Sequence, residues 1–360
     1  MKATGISPWL SPLAHLYGVG VHLRNWLYDK EILSSKSYPI PTICVGNLAV
    51  GGTGKTPMVE YLLEMLQSEY RVAVVSRGYK RKTKGLIHAT NHSTAQEIGD
   101  EPKQILEKYP STTLVIEGNR RRAIEYILSL PQESRPHVIL LDDGYQHRQL
   151  KASLYLLLTD YEHPFTEDRL LPAGRLREPT KGRLRADAVI VTRCPQDMQP
   201  ITRRIMERQL SLYPHQAVFF SSILYGDFVP LYPSDQREPP PSMWPSRNSR
   251  ILAVAGIARP EQFFSELKGR FKEVVECRFH DHHAFSQSDI DKMESRLHTT
   301  SDYLILTEKD AVRLKDSTLA LSETLRKRIF YLPIRPLFLG SGAERLKQLI
   351  HTTIQKYPTR

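Results

Sequence analysis

A glycine-rich segment at residues 49–56 constrains the fold of this 360-residue chain more than any other. It reads Ala-Val-Gly-Gly-Thr-Gly-Lys-Thr and follows a short apolar run, 40–45, that predicts a buried strand. Glycines let backbone N–H groups curl around phosphate oxygens, the lysine reaches the outer phosphates, and the last hydroxyl suits Mg²⁺. A helix predicted over 57–66 adds the positive end of its dipole. The predicted phosphate-binding residues of this P-loop are Ala49, Val50, Gly51, Gly52, Thr53, Gly54, Lys55 and Thr56.

One position departs from the usual eight-residue pattern of such loops, because Ala49 stands where the first glycine is expected. The alternative interpretation is a glycine-rich turn that contains Gly-Lys-Thr by chance. The strand before the segment and the helix after it favour the P-loop.

An apolar run that ends in two carboxylates lies at residues 138–144 and reads Val-Ile-Leu-Leu-Asp-Asp-Gly. An apolar strand that ends in aspartate is the Walker B arrangement, in which the carboxylate holds Mg²⁺ directly or through water. If the strand continued, Asp142 and Asp143 would point to opposite faces of the sheet and have different roles. The alternative is a solvated turn, since Asp-Gly is a common turn pair.

Short apolar runs alternate with helical patterns through the first half of the chain. Strands separated by helices predict an α/β fold with a doubly wound, mostly parallel sheet of the P-loop NTPase type. Besides 40–45, the predicted strands are 71–75, 114–116, 137–141, 154–158 and 188–192.

A proline-rich stretch at 226–249 separates this part from a second, smaller α/β unit. Its predicted strands are 251–255, 272–279, 303–307 and 329–332, with helices at 260–268 and 288–297. The expected domains are an N-terminal interfacial region (1–33), a P-loop domain (34–225), a linker (226–249), a second α/β domain (250–335), and a C-terminal helix (336–360) that packs back on the first domain.

Lysine and arginine outnumber aspartate and glutamate, 50 to 39, and give a formal net charge of +11. This surplus favours anionic partners: nucleic acid, anionic lipid head groups or phosphorylated substrates. Three basic clusters follow predicted strands at the P-loop edge, where guanidinium groups suit a phosphorylated substrate or a charge clamp. They are Arg77, Lys80, Arg81, Lys82 and Lys84; Arg120, Arg121 and Arg122; and Arg169, Arg175, Arg177, Arg183 and Arg185. A nucleic-acid-binding protein is the alternative, although no known reader motif is present.

An apolar stripe runs along residues 8–33, where Trp9, Leu13, Leu16, Gly20, Leu23 and Leu27 fall on one helical face. No stretch of about 18 uncharged apolar residues exists, so we expect no transmembrane helix. The stripe indicates either an interfacial helix in a bilayer surface or a helix packed on the protein's own core.

Three scattered cysteines indicate a reducing compartment, and we expect no signal peptide.

Two polar segments are open to several interpretations. The residues at 280–283 read His-Asp-His-His and could be an acid/base site, a metal site or a polar loop. The residues at 99–102 read Gly-Asp-Glu-Pro, which is a helix start or, if it faces the phosphate site, a source of a general base.

Several of these segments together resemble the tetraacyldisaccharide 4'-kinase family of lipid A biosynthesis. The matching segments are Val-Gly-Asn-Leu (45–48), Ser-Arg-Gly-Tyr (76–79), Gly-Asp-Glu-Pro (99–102), Leu-Asp-Asp-Gly-Tyr-Gln-His-Arg (141–148), Leu-Pro-Ala-Gly-Arg-Leu-Arg-Glu-Pro (171–179), Gly-Ile-Ala-Arg-Pro (256–260), Asp-His (281–282) and Leu-Thr-Glu-Lys-Asp (306–310).

The resemblance implies ATP-dependent phosphorylation of the 4'-hydroxyl of a tetraacyl glucosamine disaccharide 1-phosphate, with Mg²⁺, to form lipid IVA. It also implies a monotopic protein at the cytoplasmic face of the bacterial inner membrane. We expect a monomer that binds no nucleic acid. A P-loop kinase with a soluble substrate is the alternative.

The resemblance also implies roles for single residues. Lys55 and Thr56 would bind phosphate and Mg²⁺. Asp100 would be the general base, paired with His282 across the cleft, and the neighbours His280 and His283 leave that choice of histidine open. Asp143 would be the metal-associated carboxylate, with Asp142 beside it as a catalytic residue, and Glu178 would be a further Mg²⁺ ligand. Arg177 and Arg120 would be catalytic residues near the phosphates, with Arg121 and Arg122 as alternatives to Arg120.

Overall fold

The computed structural model describes residues 8–233, 244–299 and 302–357, which form two compact units. The first unit comprises Met1–His92, Ile105–Ile223 and Pro336–Arg360, and the second comprises Ser93–Gln104 and Leu224–Arg335. The strands are β1 (Thr42–Asn47), β2 (Val72–Ser76), β3 (Ile87–His88), β4 (Thr113–Ile116), β5 (Val138–Asp142), β6 (Leu154–Asp160), β7 (Ala188–Thr192), β8 (Ala217–Tyr225), β9 (Val229–Pro230), β10 (Arg250–Ala255), β11 (Glu273–Arg278), β12 (Asp302–Thr307), β13 (Ile329–Leu332) and β14 (Ile334–Phe338).

Helices alternate with most of these strands. They are α1 (Ser11–Asp29), α2 (Lys55–Leu66), α3 (Ala95–Ile98), α4 (Asp100–Lys108), α5 (Arg120–Ser129), α6 (Pro200–Leu210), α7 (Glu261–Arg270), α8 (Gln287–Ser295), α9 (Glu308–Lys315), α10 (Glu323–Arg326) and α11 (Gly342–Gln355). This confirms the predicted α/β fold class.

The larger sheet has the strand order β14-β8-β7-β6-β1-β5-β2-β4-β3. Its six predicted strands are neighbours in the centre of this sheet, where each pairs in parallel with the next. Three strands were not predicted. β3 has only two residues, β8 carries a polar Ser221-Ser222 pair in its middle, and β14 lies at the edge.

Strand β1 lies at the centre of the larger sheet, between β5 and β6. All six of its residues are buried, as expected for a parallel strand that is covered on both faces. Val45 is in register with Asp142 of β5, and Asn47 with Leu158 of β6. The P-loop after β1 and the acidic pair at the end of β5 therefore emerge at the same edge.

Helix α2 follows the P-loop and belongs to the core of the first unit. Its fully buried side chains recur at helical spacing, so that one face of the helix is apolar: Met58, Val59, Leu62, Leu63 and Leu66. Burial of each side chain contributes about 1.5–3 kcal/mol, which holds the start of the helix firmly at the loop.

The second unit contains a five-stranded sheet with the order β11-β10-β12-β13-β9. All pairs are parallel except β9 with β13. Alternate residues of β10 belong to two separate hydrophobic clusters, with Leu252 and Val254 in one and Ile251 and Ala253 in the other. This alternation shows that both faces of the sheet are covered.

The division of the chain differs from the predicted domains at one place. Residues 93–104 belong to the second unit, although they were expected in the first domain. Their contacts explain this, because Ala95 N donates to Asp316 Oδ2 at 2.7 Å and Arg313 donates to Asp100. The other predicted boundaries stay predictions.

The predicted linker, 226–249, includes strand β9 and so is partly ordered into the second sheet. Its residues 234–243, with most of the prolines, lie outside the described residues. Helix α11 is part of the first unit, where the Tyr357 hydroxyl lies 2.7 Å from Ser153 Oγ.

Among the described helices, none combines the length and the apolar composition that crossing a bilayer requires.

Substitution of Gly46 can test how closely β1 packs against the segment that follows β5. A Cβ at Gly46 would lie 2.6 Å from Tyr145 Cβ and 3.1 Å from Tyr145 N. Tyr145 is buried and donates to Gly182 O at 2.7 Å, so it cannot move freely. We expect Gly46→Ala to lower the free energy of unfolding by about 1–3 kcal/mol, measured by urea denaturation. Gly118→Ala is the control, since its Cβ would meet nothing within 4 Å; equal stability of both variants would contradict this packing.

Candidate active site

The P-loop leaves β1 at Asn47 and enters α2 at Lys55. Gly51 and Gly54 have φ values of +106° and +82°, a region that side chains rarely adopt. Gly54 is the N-cap of α2. These two glycines let the backbone turn tightly enough to present its N–H groups together, as phosphate binding requires.

Neighbouring segments hold the loop in place. Val50 N donates to Arg175 O at 2.8 Å, and Arg177 N donates to Leu48 O at 2.7 Å. On the β7 side, Thr192 Oγ1 donates to the carbonyl of Thr53 at 3.0 Å. The arginine-rich segment 175–177 is thus part of the loop's own scaffold.

Asn47 is a site residue to which the sequence motifs assigned no role. It is fully buried and donates to Thr53 Oγ1 at 2.8 Å, while its Oδ1 lies 3.3 Å from Lys55 Nζ. The Lys55 ammonium also lies 3.7 Å from Asp143 Oδ1. Asn47 therefore orients both the loop and its lysine. In the sequence, the position of Asn47 between the predicted strand and the glycine-rich loop could have identified it as a site residue.

The two adjacent aspartates at the end of β5 lie in different surroundings. Asp142 is the last strand residue, is buried, and accepts a hydrogen bond from Ser76 Oγ at 3.0 Å. Asp143 has left the strand with a φ of +51° and pairs with Arg177 Nη1 at 2.8 Å. The strand ends between them, so their difference comes from the turn and not from strand alternation.

Positive charge surrounds Asp143. Burial raises the pKa of this carboxyl, but the charges of Lys55 and Arg177 act against burial and together hold the pKa below its ordinary value. Asp143 is therefore a carboxylate at neutral pH. A hard cation such as Mg²⁺ prefers oxygen ligands of this kind, and Thr56 supplies a hydroxyl at the second residue of α2.

Arg120 was predicted to lie near the phosphates and is almost completely buried, with 1% of its surface exposed. Its guanidinium donates to Glu117 O at 2.6 Å and to Asp142 O at 3.0 Å. In this structure it holds the backbone at the end of β5. Arg121 and Arg122 follow it in α5, and Arg122 lies on the surface.

Glu178 was predicted to bind Mg²⁺. Its carboxylate accepts hydrogen bonds from Arg185 Nη2 at 2.8 and 2.9 Å and from Gln146 Nε2 at 3.0 Å. Gln146 Nε2 also donates to Asn47 O at 2.7 Å. Glu178 is thus linked to β1 through Gln146, which had no predicted role. Arg185 was expected among the arginines that suit a phosphorylated substrate, and in this structure it pairs with Glu178. Its role as a metal ligand stays a prediction.

Helix α1 contacts this part of the first unit with one face. Tyr17 donates to Arg177 O at 2.6 Å, and Arg24 donates to Gln146 O at 2.8 Å. The apolar stripe faces solvent instead, with Leu16 72% and Leu23 56% exposed. Packing of the stripe on the protein's own core, one of the two alternatives, is therefore not what the structure has.

The second unit holds the other predicted pair. His282 Nδ1 lies 3.3 Å from Asp100 Oδ2. Both residues belong to this unit, so the pair does not form between the two units as expected. The other histidines have different partners: His283 Nε2 lies 3.0 Å from Asp289 Oδ2, and His280 contacts His283. This arrangement makes His282 the histidine that accompanies Asp100.

Cationic side chains that the motifs did not assign surround the Asp100–His282 pair. Arg313 Nε donates to Asp100 Oδ2 at 2.7 Å, and Lys309 lies 2.6 Å from Glu101 Oε1. Burial raises the pKa of Asp100, but the contacts with His282 and Arg313 outweigh it and lower the pKa to about 2. Asp100 is therefore ionised at every pH near neutrality.

Comparisons with known proteins agree with this geometry. The family model described as tetraacyldisaccharide-1-P 4'-kinase matches residues 6–355. The tetraacyldisaccharide 4'-kinase of Porphyromonas gingivalis is 50% identical over 341 residues, which cover 93% of each chain. That of Bacteroides thetaiotaomicron is 45% identical over 353 residues and covers 96% of this chain and 92% of its own length.

A solved structure is similar along nearly the whole chain. It is the crystal structure of the "apo" form of LpxK from Aquifex aeolicus in complex with ATP, with a TM-score of 0.72 and 30% identity. The match covers 96% of this chain and 98% of that chain. With a family model and close relatives matched from end to end, the chain belongs to the tetraacyldisaccharide-1-P 4'-kinase family.

Proposed function

We propose that this chain transfers the γ-phosphate of ATP to the 4'-hydroxyl of tetraacyl disaccharide 1-phosphate, the lipid IVA-forming step of lipid A biosynthesis. The observation that carries the proposal is the P-loop at the end of β1 beside Asp143 at the end of β5, in a chain of this kinase family. A nucleic-acid-binding protein would not need this arrangement.

The P-loop residues Ala49–Thr56 are the proposed ATP site. Backbone N–H groups of the loop and the start of α2 suit the phosphates, and Lys55 neutralises their charge. Thr56 and Asp143 would hold Mg²⁺, which would supply positive charge to offset the negative charge of the phosphates during transfer. Asp142, which accepts a hydrogen bond from Ser76, would help to fix the position of the adjacent Asp143.

Arg177 is the proposed charge clamp. Arg177 pairs with Asp143 at 2.8 Å, and its side chain is partly exposed. Phosphate oxygens bind a guanidinium more strongly than a shared carboxylate that also faces a metal, so Arg177 would turn to them. Arg120, bonded to Asp142 O, would act by holding that backbone in position.

Asp100 is the proposed general base. Its low pKa makes it a weak proton acceptor, so it would take the sugar proton late, as the bond to phosphorus forms. His282, whose Nδ1 lies 3.3 Å from Asp100 Oδ2, would help to position the acceptor hydroxyl beside the base. Most of the rate enhancement would then come from positioning and electrostatic stabilisation.

The exposed stripe of α1 supports binding to a membrane surface. We propose that the chain works as a monomer at the cytoplasmic face of the inner membrane, where its acylated substrate would lie. The stripe carries large apolar side chains that no described residue covers, such as Trp9 at 91% exposure. Aromatic and aliphatic groups of this kind insert into the interface of a bilayer.

The activity is tested with γ-labelled ATP and tetraacyl disaccharide 1-phosphate in detergent micelles. We expect label on the lipid and none on a panel of soluble sugars and nucleosides. Lys55→Ala should lower kcat/KM about 10²–10³-fold, because phosphate charge loses its main neutralising group. The control is Lys36→Ala, an exposed lysine paired with Glu125. Label on a soluble sugar but not on the lipid would refute the proposal.

The membrane proposal is tested by sedimentation with vesicles of phosphatidylglycerol and phosphatidylethanolamine. Serine at Leu13, Leu16 and Leu23 together should weaken vesicle binding by at least about tenfold, because apolar area is lost from the stripe. The matched control is Ile201→Ser with Ile205→Ser on α6, which are 63% and 59% exposed. Unchanged binding of the α1 variant, or an equal loss in the α6 variant, would count against it.

A further inference from the structure

Arg313 makes more contacts with the Asp100–His282 pair than these two residues make with each other. Its Nε donates to Asp100 Oδ2 at 2.7 Å, and its Nη2 lies 3.1 Å from His282 Nδ1. The direct contact between His282 Nδ1 and Asp100 Oδ2 is longer, at 3.3 Å. Arg313 therefore lies between the two groups that the proposed reaction needs.

The guanidinium of Arg313 is rigidly anchored. Its Nη1 donates to Gly256 O at 2.9 Å and to Asp310 Oδ1 at 2.8 Å. Asp310 is fully buried and accepts a hydrogen bond from Gly256 N at 2.8 Å. The Arg313 side chain is only 7% exposed. Because one end of the fork is fixed, the position of the other end is determined as well.

The two neighbours of His282 Nδ1 require opposite protonation states of this nitrogen. A neutral imidazole nitrogen either donates or accepts, whereas the arginine only donates and the carboxylate only accepts. The contact with Arg313 is the shorter, and Asp100 Oδ2 already has Arg313 Nε at 2.7 Å. These distances favour Nδ1 as an acceptor, which places the proton on Nε2.

The surroundings of His282 Nε2 agree with this tautomer. The carboxylates of Asp281 and Glu101 lie 3.9 and 4.0 Å away and favour a protonated nitrogen. Lys309 Nζ, at 3.4 Å, would favour an unprotonated one, but it is bound to Glu101 at 2.6 Å. Among these contacts to the ring nitrogens, the one with Arg313 is the shortest, and we take it to determine the tautomer.

We propose that Arg313 is a positioning residue of the phosphoryl-transfer reaction: it occupies Oδ2 of Asp100, so that Oδ1 receives the proton, and it holds His282 as the Nε2–H tautomer. The contacts that the described residues make with this carboxylate all end on Oδ2, which supports the assignment of Oδ1. The inference rests on the proposed function, since it concerns the same proton transfer.

The tautomer is measured by ¹H–¹⁵N NMR of protein labelled at histidine, with the His282 signals assigned by their loss in His282→Gln. In the wild type at neutral pH we expect Nδ1 without a proton. In Arg313→Gln we expect a proton on Nδ1, because Asp100 becomes its strongest partner. Arg278→Gln is the control, since that arginine pairs with Glu276 and Glu261 at the surface of the same unit.

Kinetics supply the second readout. Arg313→Gln should lower kcat about 10–100-fold while KM for ATP stays unchanged, because a misplaced base slows transfer without weakening nucleotide binding. Asp100→Asn measures how far kcat falls when the proposed base itself is removed. Should Arg313→Gln fail to fold because the buried Asp310 carboxylate loses its cationic partner, Arg313→Lys keeps the charge but cannot reach all four partners. It should show the same changes to a smaller extent.

A wild-type His282 with its proton on Nδ1, or Arg313 variants with an unchanged tautomer and unchanged kcat, would overturn the inference. Absence of lipid kinase activity in the wild type would instead refute the proposed function. The NMR result for Arg313 would still decide the tautomer in that case, so the two failures can be told apart.

Discussion

The parallel pairing of β1 with β5 and β6 is the constraint on which the phosphate site depends. Every residue of β1 is buried, so a shift of its register by one position would move each side chain to the opposite face and disrupt the packing on both faces. With that register, the P-loop starts beside the end of β5. The backbone pairing alone therefore places the loop's glycines and Asp143 at the same edge of the sheet.

The charged groups at this edge form pairs of opposite sign. Asp143 lies between Lys55 and Arg177, and Glu178 is paired with Arg185. The pairs of Asp143 are partly exposed and contribute little net stability. Glu178 is buried, so Arg185 is needed to offset the cost of removing its charge from water. In the proposed function, phosphates would take over contacts of Lys55 and Arg177, and Mg²⁺ would take over contacts of Asp143.

The sequence predicted the parts of this site that depend on local patterns, and not those that depend on distant contacts. The P-loop, the end of β5 and the six central strands follow from apolar runs, glycines and short motifs. The burial of Arg120, the link of Gln146 to Glu178 and the position of Arg313 each need partners remote in the chain. For the same reason the grouping of residues 93–104 with the second unit could not be predicted.

The central claim is that the edge where β1 and β5 end holds ATP together with Mg²⁺ through Asp143. The most direct test is calorimetric titration with a non-hydrolysable ATP analogue, with and without Mg²⁺, in the wild type and in Asp143→Asn. We expect Mg²⁺ to tighten binding in the wild type and to have little effect in the variant. Affinity without Mg²⁺ should be kept or increased, because one negative charge facing the phosphates is gone. An equal gain from Mg²⁺ in both proteins would contradict the account.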